Sequence, residues 1–144
     1  MQIAANRPMT SEQVNLIKKS FDAMWPVRGD IAELCYSRFF ELAPEARALF
    51  KSDMEGQRAK LMDMIAALVG SLDQHALFQS IVTNSGRQHA RFGVQSSQYD
   101  ALGEALIWSL ERKFGASLTP ETSASWRALY GRVQAEMQRA AAQA

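Results

Sequence analysis

His89 is the residue whose type and spacing point most directly to chemistry. It is one of two histidines in a chain of 144 residues. Steps of three and four residues place it on one helix face with four others, which are Phe78, Val82, Ser85 and Phe92. An imidazole on that face points towards the core, where it needs a hydrogen-bond partner or a metal ion because an unpaired buried polar group is costly. His89 is therefore either a core histidine bonded to a carbonyl oxygen or a metal ligand.

Two more polar side chains, Tyr36 and Gln57, fall on apolar helix faces. Tyr36 accompanies Ala32, Cys35 and Phe39, and Gln57 begins a stripe that continues through leucine, methionine and isoleucine. Taken alone, Tyr36 is explained as a core aromatic residue whose hydroxyl bonds a carbonyl group. Taken alone, Gln57 is explained as a solvent-exposed residue in the frayed first turn of its helix. Together with His89 they predict one pocket, with a metal ligand on one wall and two hydrogen-bonding groups on the other.

The remaining metal-binding patterns are weak. His75 follows Asp73 and Gln74 in a polar turn, so we expect it to be solvated. The chain has no Cys-x-x-Cys, no His-Glu-x-x-His and no dense carboxylate cluster, and therefore offers no pattern for a zinc or di-iron site. A single inward histidine can still hold a metal if a macrocycle supplies the other four ligands, which predicts haem.

Composition predicts one soluble, helical, cytoplasmic domain. The formal charge is +1, with no basic excess that would suggest nucleic acid. Proline and glycine are few, and Cys35 is the only cysteine, so no disulfide can form within the chain. The main apolar run, residues 64–70, is too short to cross a bilayer, and the first nine residues lack the apolar core of a signal sequence.

Helix signals divide the chain into about six long helices with short turns, and no alternating pattern predicts a strand. Thr10 and Gln13 suggest a capping box for a helix that ends near Trp25. The next helix begins near Asp30, and Pro44 opens a short turn that ends near Phe50. The sequence predicts an all-α fold.

The later helices have their own start and stop signals. Ser52 or Asp53 is expected to cap the helix that carries Gln57. The His89 helix is expected over residues 76–92, with a break at 84–86 and an end at Gly93. Ser96 or Ser97 caps the next helix, which Gly115 ends. Thr119, with Pro120 behind it, caps the last one.

The chain resembles bacterial single-domain globins of the flavohaemoglobin lineage. The resemblance covers about residues 10–137, and the segment Gly86–Val94 with Tyr99 is its most specific part. It implies a globin fold enclosing a haem pocket, with a globin domain at residues 10–140 and tails at 1–9 and 141–144. The other matching segments are Tyr36–Phe40, Pro44-Glu45, Leu49-Phe50, Gln57 with Leu61, Trp126, and Tyr130-Gly131.

The resemblance also implies roles for individual residues. His89 would ligate the iron of haem b, with Tyr99 beside it and the sixth position open to a gas. Tyr36, Gln57 and Leu61 would surround that gas on the distal side. Lys60, with Arg58 or Arg91, would reach the haem propionates from the pocket rim. The apolar lining would come from Phe50, Leu61, Val94, Leu102 and Leu106, although plain core packing explains the last two nearly as well.

The sequence departs from the lineage at the end of the last helix. Relatives with redox chemistry carry a glutamate there, paired with the tyrosine beside the proximal imidazole, and this place falls on Ala141. Glu136 lies more than a turn earlier and is expected to face elsewhere. The chain also has no segment for binding flavin or nicotinamide nucleotide, so any redox turnover would need a separate reductase.

The expected function is reversible binding of dioxygen with high affinity and slow release, and carbon monoxide and nitric oxide would also bind. The alternative is an enzyme, a nitric oxide dioxygenase that works with a separate reductase. A peroxidase-like activity is a weaker expectation because Ala141 stands where an acid would. A gas sensor would need a partner with an output domain. No catalytic residue, nucleic acid or membrane is expected, and the sequence leaves the oligomeric state open.

Overall fold

A computed structural model describes residues 9–51 and 53–143 of the chain. Those residues form six α-helices and contain no strand, which confirms the all-α prediction. Short 3₁₀ turns at residues 25–27, 44–49 and 115–117 connect some of them. The helices are α1 (Ser11–Met24), α2 (Arg28–Leu42), α3 (Met54–Gly70), α4 (His75–Arg91), α5 (Ser96–Phe114) and α6 (Pro120–Ala142).

Several helix starts follow the predicted capping. The Thr10 side chain accepts from the Gln13 N–H, and the Gln13 side chain accepts from the Thr10 N–H, which completes the capping box of α1. Asp53 caps α3 and Thr119 caps α6. Ser52, the alternative cap of α3, lies outside the described residues, as do residues 1–8 of the predicted N-terminal tail and Ala144 of the C-terminal one.

Two predictions about helix starts and continuity are wrong. Gln95, rather than Ser96 or Ser97, is the N-cap residue of α5, and its N–H donates to the Gln98 side chain over 2.8 Å. The break expected within α4 does not occur, because α4 runs without interruption from His75 to Arg91. Gly86 has a packing role there: a Cβ at this position would lie 2.5 Å from the Met137 carbonyl oxygen, so only glycine lets α4 approach α6 so closely.

The core lies between two main helix pairs. The most extensive helix contacts are those of α2 with α5 and of α4 with α6, and α1 also packs on α6. Trp126 is 2% exposed and donates from Nε1 to the Ser20 hydroxyl over 2.8 Å, which ties α6 to α1. Cys35 is fully buried and unpaired. Within the described ranges, no helix is both long and apolar enough to cross a membrane.

Candidate functional site

His89 lies in the last turn of α4 with its ring half-buried. Its Nδ1 is 2.7 Å from the Ser85 carbonyl oxygen and 3.4 Å from the Ser85 hydroxyl. A carbonyl oxygen only accepts, so Nδ1 carries the proton and donates it. The lone pair of the neutral imidazole is therefore on Nε2, and this nitrogen can bind a metal.

The prediction that Phe92 shares the inward face of His89 is wrong. Phe92 follows the end of α4 and is 70% exposed. The three-to-four periodicity holds only while the backbone is helical, and Gly93, with a φ of 73°, turns the chain immediately afterwards. The turn brings the Val94 N–H to the His89 carbonyl oxygen over 3.2 Å, and the Val94 side chain packs partly buried against the core.

Tyr99, on the second turn of α5, lies against the imidazole. The two rings stack with centroids 5.7 Å apart and an angle of 28° between their planes. The Tyr99 hydroxyl is buried and has no hydrogen-bond partner among the described residues, and burial raises its pKa. Tyr130 of α6 donates to the Tyr99 carbonyl oxygen over 2.6 Å and thereby holds this part of α5.

Among the described residues, no acidic side chain forms a hydrogen bond or ion pair with Tyr99 or His89. Glu136 lies 3.7 Å from Arg132 of its own helix. With the Gln79 amide oriented so that its nitrogen donates, that nitrogen is 3.1 and 2.7 Å from the two Glu136 oxygens. Glu136 is thus engaged with Arg132 and Gln79, which confirms that it faces elsewhere.

Tyr36 is the centre of an aromatic cluster. It is 7% exposed, and its ring meets Phe50 edge-on at 5.5 Å and also contacts Phe39 and Phe40. Burial raises the pKa of Tyr36 well above its ordinary value, the nearby Cys35 adds to the rise, and Arg58 opposes it. The phenol therefore stays protonated at neutral pH and can donate a hydrogen bond.

Gln57 and Leu61 lie one turn apart on α3, and both are half-buried. Asp53 caps this helix by accepting from the Glu55 N–H over 2.9 Å, which fixes where the first turn begins. Within the described residues the Gln57 amide makes no hydrogen bond, so its N–H groups are available to a ligand. Leu61 packs against the core at this point.

The other predicted site residues differ in burial. Leu106 is 5% exposed and Leu102 is partly buried, both on α5 and both in contact with the core. Lys60 is exposed on α3, and Arg58 is half-buried. The positive charge of Arg58 opposes the rise in the Tyr36 pKa, so this arginine interacts electrostatically with the phenol. Local sequence patterns do not indicate that interaction.

Gln98 is a further buried polar residue that sequence reasoning missed. It is 6% exposed, and its Nε2 donates to Glu45 over 3.2 Å while its Oε1 accepts from the Gln95 N–H. Gln98 therefore joins the start of α5 to the 3₁₀ turn at residues 44–49, which immediately precedes Phe50. The Gln-x-x-Gln spacing at the helix start is the one sequence signal that would have indicated it.

These residues form two separate groups of ring contacts. His89 and Tyr99 are in ring contact, as are Tyr36 and Phe50, and in the described part of the chain no ring contact joins the two pairs. In that part of the chain no group of three or more His, Cys, Asp or Glu side chains is placed to hold a metal ion by itself. A free imidazole Nε2 is the donor that haem iron takes from a protein, and a buried protonated phenol can donate a hydrogen bond, so these residue types fit a haem site.

Comparisons with known proteins show similarity to globins. The globin family model matches residues 33–137. Among curated proteins, the neuroglobin of Tetraodon nigroviridis is 27% identical, with 91% of each chain covered, and that of Chaenocephalus aceratus is 26% identical, with 90% of each covered. Among solved structures, an engineered carbene transferase is 25% identical with a TM-score of 0.84 and 94% of each chain covered; it derives from a Rhodothermus marinus protein named as a nitric oxide dioxygenase.

Proposed function

Since this chain belongs to the globin family, whose members bind haem and diatomic gases, we propose that it holds haem b through His89 and captures dioxygen reversibly beside Tyr36 and Gln57. The observation that carries the proposal is the 2.7 Å bond from His89 Nδ1 to the Ser85 carbonyl oxygen. That bond fixes the tautomer and leaves Nε2 as the donor to iron. When bound, haem supplies an iron centre with one open position for a gas.

The distal residues act by donating hydrogen bonds. Dioxygen captured by a haem protein gains partial negative charge, so the Tyr36 hydroxyl and the Gln57 amide would each stabilise it. A bond of this kind contributes about 1.5–3 kcal/mol, which slows release by about tenfold or more. Carbon monoxide is less polar and would gain less from the same donors.

Apolar side chains exclude water from the pocket. Phe50, Leu61 and Val94 are partly buried against the core and would contact the haem or its ligand. Leu102 and Leu106 would complete the lining from α5. Lys60 on the exposed face of α3, with Arg58, would pair with the haem propionates. Arg91 follows His89 by two residues, about 200° round α4, so we do not assign it this role.

Nitric oxide dioxygenation is the second candidate function. The solved structure that matches at a TM-score of 0.84 derives from a protein named as a nitric oxide dioxygenase, and this similarity favours the activity. The same two distal donors would hold dioxygen for attack by nitric oxide, and a separate reductase would restore ferrous iron. The enzyme and the carrier thus share one pocket and differ in their partners.

Membership of the globin family confirms the broader resemblance, while the narrower flavohaemoglobin lineage stays a prediction. The Tyr36 and Gln57 pair supports that lineage, although the curated relatives reported above are neuroglobins. A globin domain over residues 10–140 and a cytoplasmic location complete the proposal. The buried thiol of Cys35 is consistent with a reducing compartment.

Spectroscopy of the purified protein, reconstituted with haem, tests the proposal. We expect a Soret band, a shift of that band on reduction, and further shifts with air and carbon monoxide. His89→Gly should lose the ferrous five-coordinate spectrum and regain it when imidazole is added. His75→Gly, which removes the exposed second histidine, should behave as wild type. A colourless protein, or one in which both variants have the wild-type spectrum, would contradict it.

A further inference from the structure

The α4 segment carries positive charge without any negative charge. Between Asp73 and Asp100 the chain holds no aspartate or glutamate, while Arg87 and Arg91 give this stretch a formal charge of +2. The whole chain has a net charge of +1, so the remaining residues together carry a net −1. Each of the other five α-helices contains at least two carboxylate side chains, so α4 is the one described α-helix without any.

The two arginines lie on the side of α4 turned away from the His89 imidazole. Arg87 precedes His89 by two residues and Arg91 follows it by two, and a step of two residues on a helix is about 200°. The arginines are four residues apart, so they share one face, which we name the proximal basic face. About one helix diameter, roughly 10 Å, separates this face from the imidazole.

Both arginines are exposed, and neither forms an ion pair within the described residues. By contrast, Lys113 pairs with Asp30 and Arg127 with Glu104, so the cations of α5 and α6 are neutralised where carboxylates are near. The helix that packs most extensively on α4 is α6, and it does not supply a counter-charge. Its Glu136 is engaged with Arg132 and Gln79, and residues 137–143 include no carboxylate.

An exposed aromatic ring adjoins the two charges. Phe92, 70% exposed, directly follows Arg91 at the end of α4. Arginine and aromatic side chains are enriched at the centres of protein interfaces, where charges of opposite sign on the partner add steering and register. Two arginines are too few for a nucleic-acid surface, which needs many phosphate contacts. The combination fits an acidic protein.

We propose that the proximal basic face docks an acidic protein that donates single electrons, and that the electron crosses α4 to the haem held by His89. The proposal rests on the proposed function, because it requires haem on the far side of that helix. One electron leaves the donor, which is oxidised, and ferric iron is reduced to ferrous iron; no bond forms or breaks. Such a partner would supply the reduction that either candidate function needs.

The test compares two double charge reversals of the haem-loaded protein. Arg87→Glu with Arg91→Glu changes the proximal basic face. Lys19→Glu with Arg112→Glu makes the same change in net charge at exposed positions on α1 and α5. The probe is reduced flavodoxin, a small acidic flavin protein. Stopped-flow absorbance gives the second-order rate of ferric haem reduction, and fluorescence anisotropy of labelled flavodoxin gives its affinity without any electron transfer.

We expect the reduction rate of wild type to fall as salt is added, because steering between opposite charges is screened. At low salt the Arg87 and Arg91 reversals should slow reduction about tenfold or more and weaken docking in parallel. The control reversals should change the rate less than threefold, which is about 0.6 kcal/mol.

The outcomes separate this proposal from the proposed function. A normal Soret band with equal rates and affinities in both double variants, or with no salt dependence in wild type, overturns the docking proposal alone. Equal losses in both variants also overturn it, because they would reflect net charge rather than this face. Failure of wild type to bind haem overturns the proposed function, and the route of electron delivery with it.

Discussion

Tyr130 and Tyr99 use their hydroxyl groups in opposite ways. The Tyr130 hydroxyl donates to the Tyr99 carbonyl oxygen over 2.6 Å, whereas the Tyr99 hydroxyl is buried without a partner in the described part of the chain. The Tyr99 ring in turn stacks on His89. Tyr130 therefore holds the backbone of the residue whose ring stacks on the His89 imidazole.

Removing the two hydroxyl groups should have different effects on stability. Tyr130→Phe loses an intramolecular hydrogen bond and should lower the free energy of unfolding by about 1 kcal/mol. Tyr99→Phe removes a buried group that has no partner, so it should be neutral or stabilising. Urea titrations of the haem-free protein measure both. If Tyr99→Phe destabilises the chain as much as Tyr130→Phe does, its hydroxyl has a partner after all.

The sequence predicts the helices well because their signals are local. The Thr10–Gln13 box, the Asp53 cap and Pro120 behind Thr119 each act within four residues, and all three occur in the structure. The apolar stripes are equally local, which is why residues such as Trp126 could be assigned to the core. Caps and apolar stripes, which act between residues a few positions apart, therefore predict the fold class and most helix bounds.

The errors arise where distant contacts decide the structure. Gly86 suggests a helix break, but its neighbour is Met137 of α6, which no local pattern reveals. Gln98 binds Glu45, 53 residues away, and therefore escaped notice. Phe92 was assigned to the core because periodicity was extended one residue beyond the end of α4. The roles of the site residues remain predictions from residue type and spacing. The His89–Tyr99 and Tyr36–Phe50 ring contacts support them.

Tyr36→Phe should speed dioxygen release. The variant keeps the ring that packs on Phe50 but removes the hydroxyl donor, so the dissociation rate should rise about tenfold or more. Carbon monoxide release should change much less because that ligand is less polar. Stopped-flow displacement measures both rates. Ser125→Ala, which also removes one buried hydroxyl but lies on α6 and bonds only the Glu121 carbonyl oxygen, serves as the control. An unchanged dioxygen rate in Tyr36→Phe would exclude Tyr36 as the donor.

Two glycine-to-alanine substitutions should have opposite effects. A Cβ at Gly86 would overlap the Met137 backbone, so Gly86→Ala should lower the free energy of unfolding by about 1–3 kcal/mol. A Cβ at Gly131, within α6, meets nothing within 4 Å, so Gly131→Ala should raise it by about 0.5–1 kcal/mol through helix propensity. Chemical denaturation measures both changes. Equal effects of the two substitutions would show that α4 and α6 are not held at this distance by Gly86.

The buried thiol of Cys35 should make the chain less stable in alkali. Burial raises the pKa of Cys35 from 9.0 to about 12, so above pH 9 the unfolded chain loses this proton while the folded chain keeps it. A group with a raised pKa stabilises the fold fully below its unfolded pKa, and the stability is lost as the pH rises towards the folded value. The loss approaches about 1.4 kcal/mol per pH unit.

Comparing variants between pH 8 and pH 10 isolates this contribution, because wild type and Cys35→Ala share the three tyrosines that also begin to ionise in this range. Cys35→Ala should lower the free energy of unfolding at every pH. That free energy should nevertheless fall less steeply with rising pH than in wild type, because one titrating group has been removed. Ile31→Val, a fully buried substitution on the same helix that removes no titrating group, should keep the wild-type slope. If Cys35→Ala declines as steeply as wild type, the thiol ionises alike in both states and is not held in a dry environment.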